Sequence, residues 1–224
     1  MKNILYVILA VILSISVCHS QDLQKNVKKA KRALNKYNLD PKANEADLME
    51  AMNLIIEAFD APEAANDFDA QASKGRILAE VYANENAKVL LDPNYQMVNE
   101  NIVFDAADAL MQALGLADKG WKTDDVMESL TFNAVNLSNA GIRAFQSENF
   151  KVAYNAFNET LNVKEVLDEN KKGDMYLSKP DELNNQKYYT ALAAQLDENY
   201  PRAKDLYESL LDGGFNTADI YQGF

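Results

Sequence analysis

Apolar residues recur along this chain in steps of three and four, and nowhere do they alternate with polar ones over the length of a strand. Such steps collect side chains on one face of an α-helix. The pattern predicts helices over roughly 23–37, 46–60, 67–84, 99–115, 123–146, 149–163, 182–197 and 199–212, with a ninth beginning near Thr217. Pro41, Pro62, Pro93 and Pro180 fall between these stretches, and Pro201 sits where a first helical turn tolerates the missing N–H. Thr123, Asn149 and Asn199 are placed to cap helix starts, and Gly213-Gly214 supplies a left-handed ending. The expected fold class is all-α.

One pattern recurs four times. Ala51, Ile55, Ala58 and Phe59 share their spacing with Ala106, Leu110, Ala113 and Leu114. Ala153, Phe157, Thr160 and Leu161 repeat it, as do Ala203, Tyr207, Leu210 and Leu211. A small residue followed by large ones one and two turns later is one stripe of a helix, made to receive a neighbour. The preceding helices offer small positions at Gly75, Gly141 and Ala191, and less clearly at Ala30. From Gly141 to Ala153 and from Ala191 to Ala203 the distance is 12 residues, whereas Gly75 and Ala106 lie 31 apart. Residues 84–98 therefore look like an insertion between two helices, and Gly141 is expected to face Ala153.

The run Gly141, Phe145, Phe150, Ala153, Phe157 and Leu161, with the turn Gln146-Ser147-Glu148-Asn149 inside it, resembles the tetratricopeptide repeat (TPR). The likeness is good over 130–212 and degenerate before that, because the stripes recur at 55, 47 and 50 residues rather than at the family's 34. It implies an α-solenoid of stacked antiparallel helix pairs, about four pairs and a partial fifth. Divergent units would occupy 21–118, two better-matched units 119–212, and residues 213–224 the start of a further unit or an open C-terminal end. In that family the first helix of each pair lines a concave, partner-binding face. Carried over by position, this face would present Val135, Ser138, Ile142, Phe145 and Gln146, then Asn185, Tyr188, Leu192, Gln195 and Leu196. An open end with Ile220, Tyr221 and Phe224 would admit further repeats or a second copy.

The N-terminus carries an address. One lysine precedes the uncharged run Ile4 to Val17, too short at about 21 Å of helix to cross a bilayer. Cys18 and Ser20 then stand at the −3 and −1 positions of a cleavage point before Gln21, so residues 1–20 read as a signal peptide. The alternatives are an uncleaved anchor and a lipoprotein acylated on Cys18, although Val17 fits that motif poorly. Export to the periplasm of a Gram-negative-type cell, or secretion, is the expectation.

Composition then narrows the chemistry. The chain carries 34 acidic and 22 basic residues, one cysteine and one histidine. Cleavage removes Lys2, Cys18 and His19, leaving neither thiol nor imidazole for nucleophilic triads, thiol redox chemistry or His/Cys zinc sites. The acidic balance opposes nucleic-acid binding, and no nucleotide, calcium-loop or acyl-transfer motif is present. No catalytic residue, metal or cofactor is assigned. Lys25, Lys28, Lys29, Lys31, Arg32 and Lys36 make the first helix basic, whereas Asn38 to Ala70 carries nine acids against one lysine. The two segments are expected to pair, with contact to anionic lipid or an acidic partner as the alternative. Trp121, the only tryptophan, is expected between helices, covering a hairpin end. The sequence thus points to an exported, non-catalytic scaffold that binds a protein or peptide. The alternative is an envelope carbohydrate- or nutrient-binding protein on the same kind of helices.

Overall fold

A computed structural model of the chain describes residues 22–92 and 94–215. These residues form eight α-helices and two short 3₁₀ turns, with no strand among them. Helix α1 spans 22–39, α2 Glu45–Ala58, α3 Phe68–Leu91, α4 Ile102–Gly115, α5 Gly120–Gln146, α6 Phe150–Glu169, α7 Pro180–Leu196 and α8 Tyr200–Asp212. The all-α expectation holds. The ninth helix near Thr217 lies outside the described residues, as do the leader and Ile220, Tyr221 and Phe224. None of the described helices is long and apolar enough to cross a membrane.

Four boundaries differ by three residues or more from the sequence reading, the first being the start of α4, at Ile102 and not near 99. Residues 84–91 continue α3 instead of opening an insertion, which confines the irregular connection to 92–101. Helix α6 runs on to Glu169, where Asn170 closes it. Helix α5 begins at Gly120, so Thr123 lies inside the helix and Trp121 in its first turn. Capping explains several ends that were legible. Asp67 accepts from the Ala70 amide at 2.8 Å ahead of α3, and Asn149 accepts from the Val152 amide at 3.4 Å ahead of α6. Asn199 occupies the corresponding place ahead of α8 without a side-chain cap bond.

Two compact units divide within α5, at Val126/Met127. In the first, α3 packs on α2 and α4. Gly75 makes the α3–α4 approach possible, since a Cβ there would run into Leu110 and the Ala106 carbonyl. The connection after α3 is pinned by Glu85, which is 5% exposed. Its carboxylate accepts from the Tyr95 hydroxyl (2.8 Å), Lys88 Nζ (3.0 Å) and the Val98 amide (3.1 Å). Burial pushes the Glu85 carboxyl up, but these donors outweigh it and hold its pKa below the usual value. Trp121 packs edge-on to Phe68 at 6.4 Å, and the Lys122 ammonium lies 4.5 Å from the Phe68 ring.

In the second unit, α7 packs on α6 and α8. The turns after α5 and α7 have the same construction, 50 residues apart. Glu148 and Glu198 both take φ 60°, Asn149 donates to the Ala144 carbonyl, and Asn199 donates to the Ala194 carbonyl, each at 2.8 Å. Each is a helix ending that satisfies its last carbonyls through a left-handed residue. Gly214, at φ 79°, does the same for α8.

The repeated stripe is buried in the same way each time. Its first three members, Ala51-Ile55-Ala58, Ala106-Leu110-Ala113, Ala153-Phe157-Thr160 and Ala203-Tyr207-Leu210, are at most 3% exposed, and the fourth member is half-buried. The pairing of Gly141 with Ala153 is corrected. A Cβ on Gly141 would meet the Phe157 ring, while Ala153 clusters with Ala144, Phe157 and Ala193. The glycine makes room for an aromatic ring one turn further along the partner helix.

Candidate functional site

The second unit holds an open groove of about 530 Å³ lying between α5 and α7. Its floor is Phe157, held over Gly141 and 3% exposed. Ile142 and Phe145 of α5 form one wall. Tyr189 of α7, 51% exposed, forms the other, its ring centroid 6.4 Å from that of Phe157. Ser138, Gln146, Glu182 and Asn185 also line the groove, with the buried Gln186 beneath them.

Leu177 reaches the groove from the segment after α6. Lys164, 7% exposed, fixes the start of that segment by binding Asp168 Oδ1 at 2.6 Å and the Gly173 carbonyl at 3.0 Å. The Tyr176 hydroxyl donates to the Ala134 carbonyl at 3.4 Å, and burial pushes that phenol above its ordinary pKa. Leu177 itself sits at φ 46°, a left-handed conformation costing a side-chain-bearing residue about 1–2 kcal/mol. Gln186 spans the site: its amide N–H donates to the Phe157 carbonyl at 3.4 Å and its oxygen accepts from Ser138 at 3.5 Å. At the mouth, the hydrogen bond from Lys179 (2.9 Å) holds the Glu182 carboxyl below its usual range. The groove thus offers aromatic and aliphatic surface ringed by amides and one ion-paired carboxylate.

Of the residues expected on a binding face, Ser138, Ile142, Phe145, Gln146 and Asn185 meet in this groove. Val135 lies on α5, 46% exposed, and does not line it. Tyr188 instead packs on the α7–α8 core, 6.3 Å from Tyr207. Leu192 is half-buried, Leu196 is exposed, and Gln195 accepts from the Tyr207 hydroxyl at 3.0 Å. The reason is geometric. Tyr188, Leu192 and Gln195 stand 50 residues after Ser138, Ile142 and Phe145. Equivalent positions of a repeat look in the same direction, so they cannot form the two facing walls of one groove. The opposite wall comes from the other side of α7, from Glu182, Asn185, Gln186 and Tyr189. Asn185 was expected; Glu182, Gln186 and Tyr189 stand at helical steps from it, the one signal by which the sequence could have found them, and Leu177 had none.

The first unit holds a second groove of about 380 Å³, lined by Met49, Met52 and Ile56 of α2, by Leu78, Val81 and Glu85 of α3, and by Val98 and Ile102. No cluster of three or more carboxylates, histidines or cysteines able to hold a metal ion occurs among the described residues. In comparison with known proteins, the chain matches no family model, no curated protein and no solved structure.

Proposed function

We propose that the chain is an exported, non-catalytic helical-repeat scaffold of the tetratricopeptide kind that works in the bacterial cell envelope. In this reading the α5–α7 groove holds a segment of a protein partner. The observation that carries the proposal is the groove itself, set between the leading helices of two hairpins built 50 residues apart with the same turn. Ile142, Phe145 and Tyr189, set over the buried Phe157, offer apolar surface that one or two anchoring side chains would desolvate. Gln146 and Asn185, both exposed, can donate to and accept from a peptide backbone. Stacking of the remaining helix pairs into a solenoid, and export by the N-terminal leader, belong to the same proposal.

Photo-cross-linking from the groove tests it. A benzoylphenylalanine placed at Ile142 or at Tyr189 should capture the same envelope protein, and Asn185→Arg should abolish the product. The same probe at Asn155, on the exposed side of α6, should capture nothing. Equal capture from Asn155, or none from the groove, would sink the reading.

A further inference from the structure

Helix α1 carries a cationic stripe whose use the groove does not explain. Its buried side is Leu23, Val27, Ala30, Leu34 and Tyr37, all at most 8% exposed. At 100° per residue, Lys25, Lys28, Lys29, Arg32 and Lys36 fall on the side directly opposite, and all five are exposed. The expected pairing with the acidic segment is only partial. Lys31, on the flank, binds Asp69, and Lys36 binds Asp47 at 2.8 Å. Gln24, on the same flank as Lys31, takes up Asp67. Among the described residues, no carboxylate forms an ion pair with Lys25, Lys28, Lys29 or Arg32.

The stripe works against the helix that bears it. Lys25–Lys29, Lys28–Arg32 and Arg32–Lys36 are like-charge pairs four residues apart, each destabilising. Lys25 also lies near the positive end of the helix dipole. Solubility does not require it in a chain of net charge −12. The local charge is opposite in sign to the net charge of the chain, so this face attracts a polyanion.

We infer that the exposed face of α1 docks flat on an anionic phospholipid surface. Two observations favour lipid over an acidic protein. The stripe is straight and about 16 Å long, from Lys25 to Lys36 at 1.5 Å per residue, and the one apolar side chain on the same face, the exposed Leu39 just beyond Lys36, is too little to anchor a folded partner. It also lies close behind the apolar run Ile4–Val17, so until the leader is cleaved that run delivers the stripe to the bilayer surface. Lysine and arginine beside a bilayer are drawn to anionic headgroups over a Debye length.

The test is co-sedimentation of the full chain with phosphatidylcholine vesicles, with and without about 40% phosphatidylglycerol. The apolar leader contributes to both, so the readout is the ratio of the two partition coefficients. That ratio should be at least about tenfold at low salt and approach one near 0.5 M salt. It should also approach one in the Lys25→Gln/Lys28→Gln/Lys29→Gln/Arg32→Gln variant, whose helicity should be unchanged by circular dichroism. A native ratio near one, or a ratio the variant retains, overturns the inference. So does binding to polyglutamate without preference for anionic vesicles, which would assign the face to an acidic protein.

Discussion

Gly141→Ala is the sharpest probe of how the second unit is built. In an isolated helix this change is favourable by about 1 kcal/mol. Here the new Cβ would sit inside van der Waals distance of three atoms of the Phe157 ring. That ring is 3% exposed and clustered with Ala144, Ala153 and Ala193, so it can yield only towards the groove it floors. Over-packing of this kind costs about 1–3 kcal/mol. The net expectation is a loss of up to about 2 kcal/mol, with the ring displaced into the groove. Phe157→Val removes every ring atom at that point, at about 2–4 kcal/mol for the lost burial. In that background Gly141→Ala should recover its intrinsic preference and stabilise by up to about 1 kcal/mol. Urea unfolding of the four proteins gives the coupling between the sites, expected at about 1–3 kcal/mol. If Gly141→Ala stabilises both backgrounds equally, the two residues are not in contact and the floor of the groove is wrongly described.

The turns and the ion network supply two further tests. Glu148→Gly and Glu198→Gly relieve the left-handed backbone at φ 60°, so each should gain about 0.5–1 kcal/mol in thermal unfolding after the extra entropy of glycine is offset; a loss at either site would show that its carboxylate matters more than its backbone. The lowered pKa of Glu85 means that its stabilisation is present above the unfolded carboxyl value of 4.5 and is lost as pH falls through the folded one, while burial resists but hydrogen bonds with Glu45, Glu85 and Tyr95 hold Lys88 charged well above 10.5, so its share is lost only as pH rises beyond that. Glu85→Gln should therefore flatten the acid limb of the stability profile, and an unchanged acid limb would remove Glu85 from the account.

Much of the helical layout was written in local chemistry. Three- and four-residue spacing fixed the helices, because only one face of each can be taken out of water. The repeated small–large–small stripe predicted burial position by position, from Ala51 to Leu210. Asn149 marked the start of α6 because an orphaned amide needs an acceptor, and Gly214 marked the end of α8 because its backbone must turn left-handed. The errors arose where distant contacts outweigh local signals. Nothing local shows that α3 continues past Asn84, since its last turns are held by Lys88 and Glu85 reaching Glu45, Tyr95 and the Val98 amide. Trp121 reads as a loop residue beside Gly120, yet Phe68 and Lys122 secure it in the first turn of α5. The groove needed the tertiary structure most. A repeat states which positions are equivalent, and equivalent positions face the same way. Which opposite sides of α5 and α7 confront each other over Phe157, and that Leu177 joins them, depends on how the helices pack, which no single helix encodes.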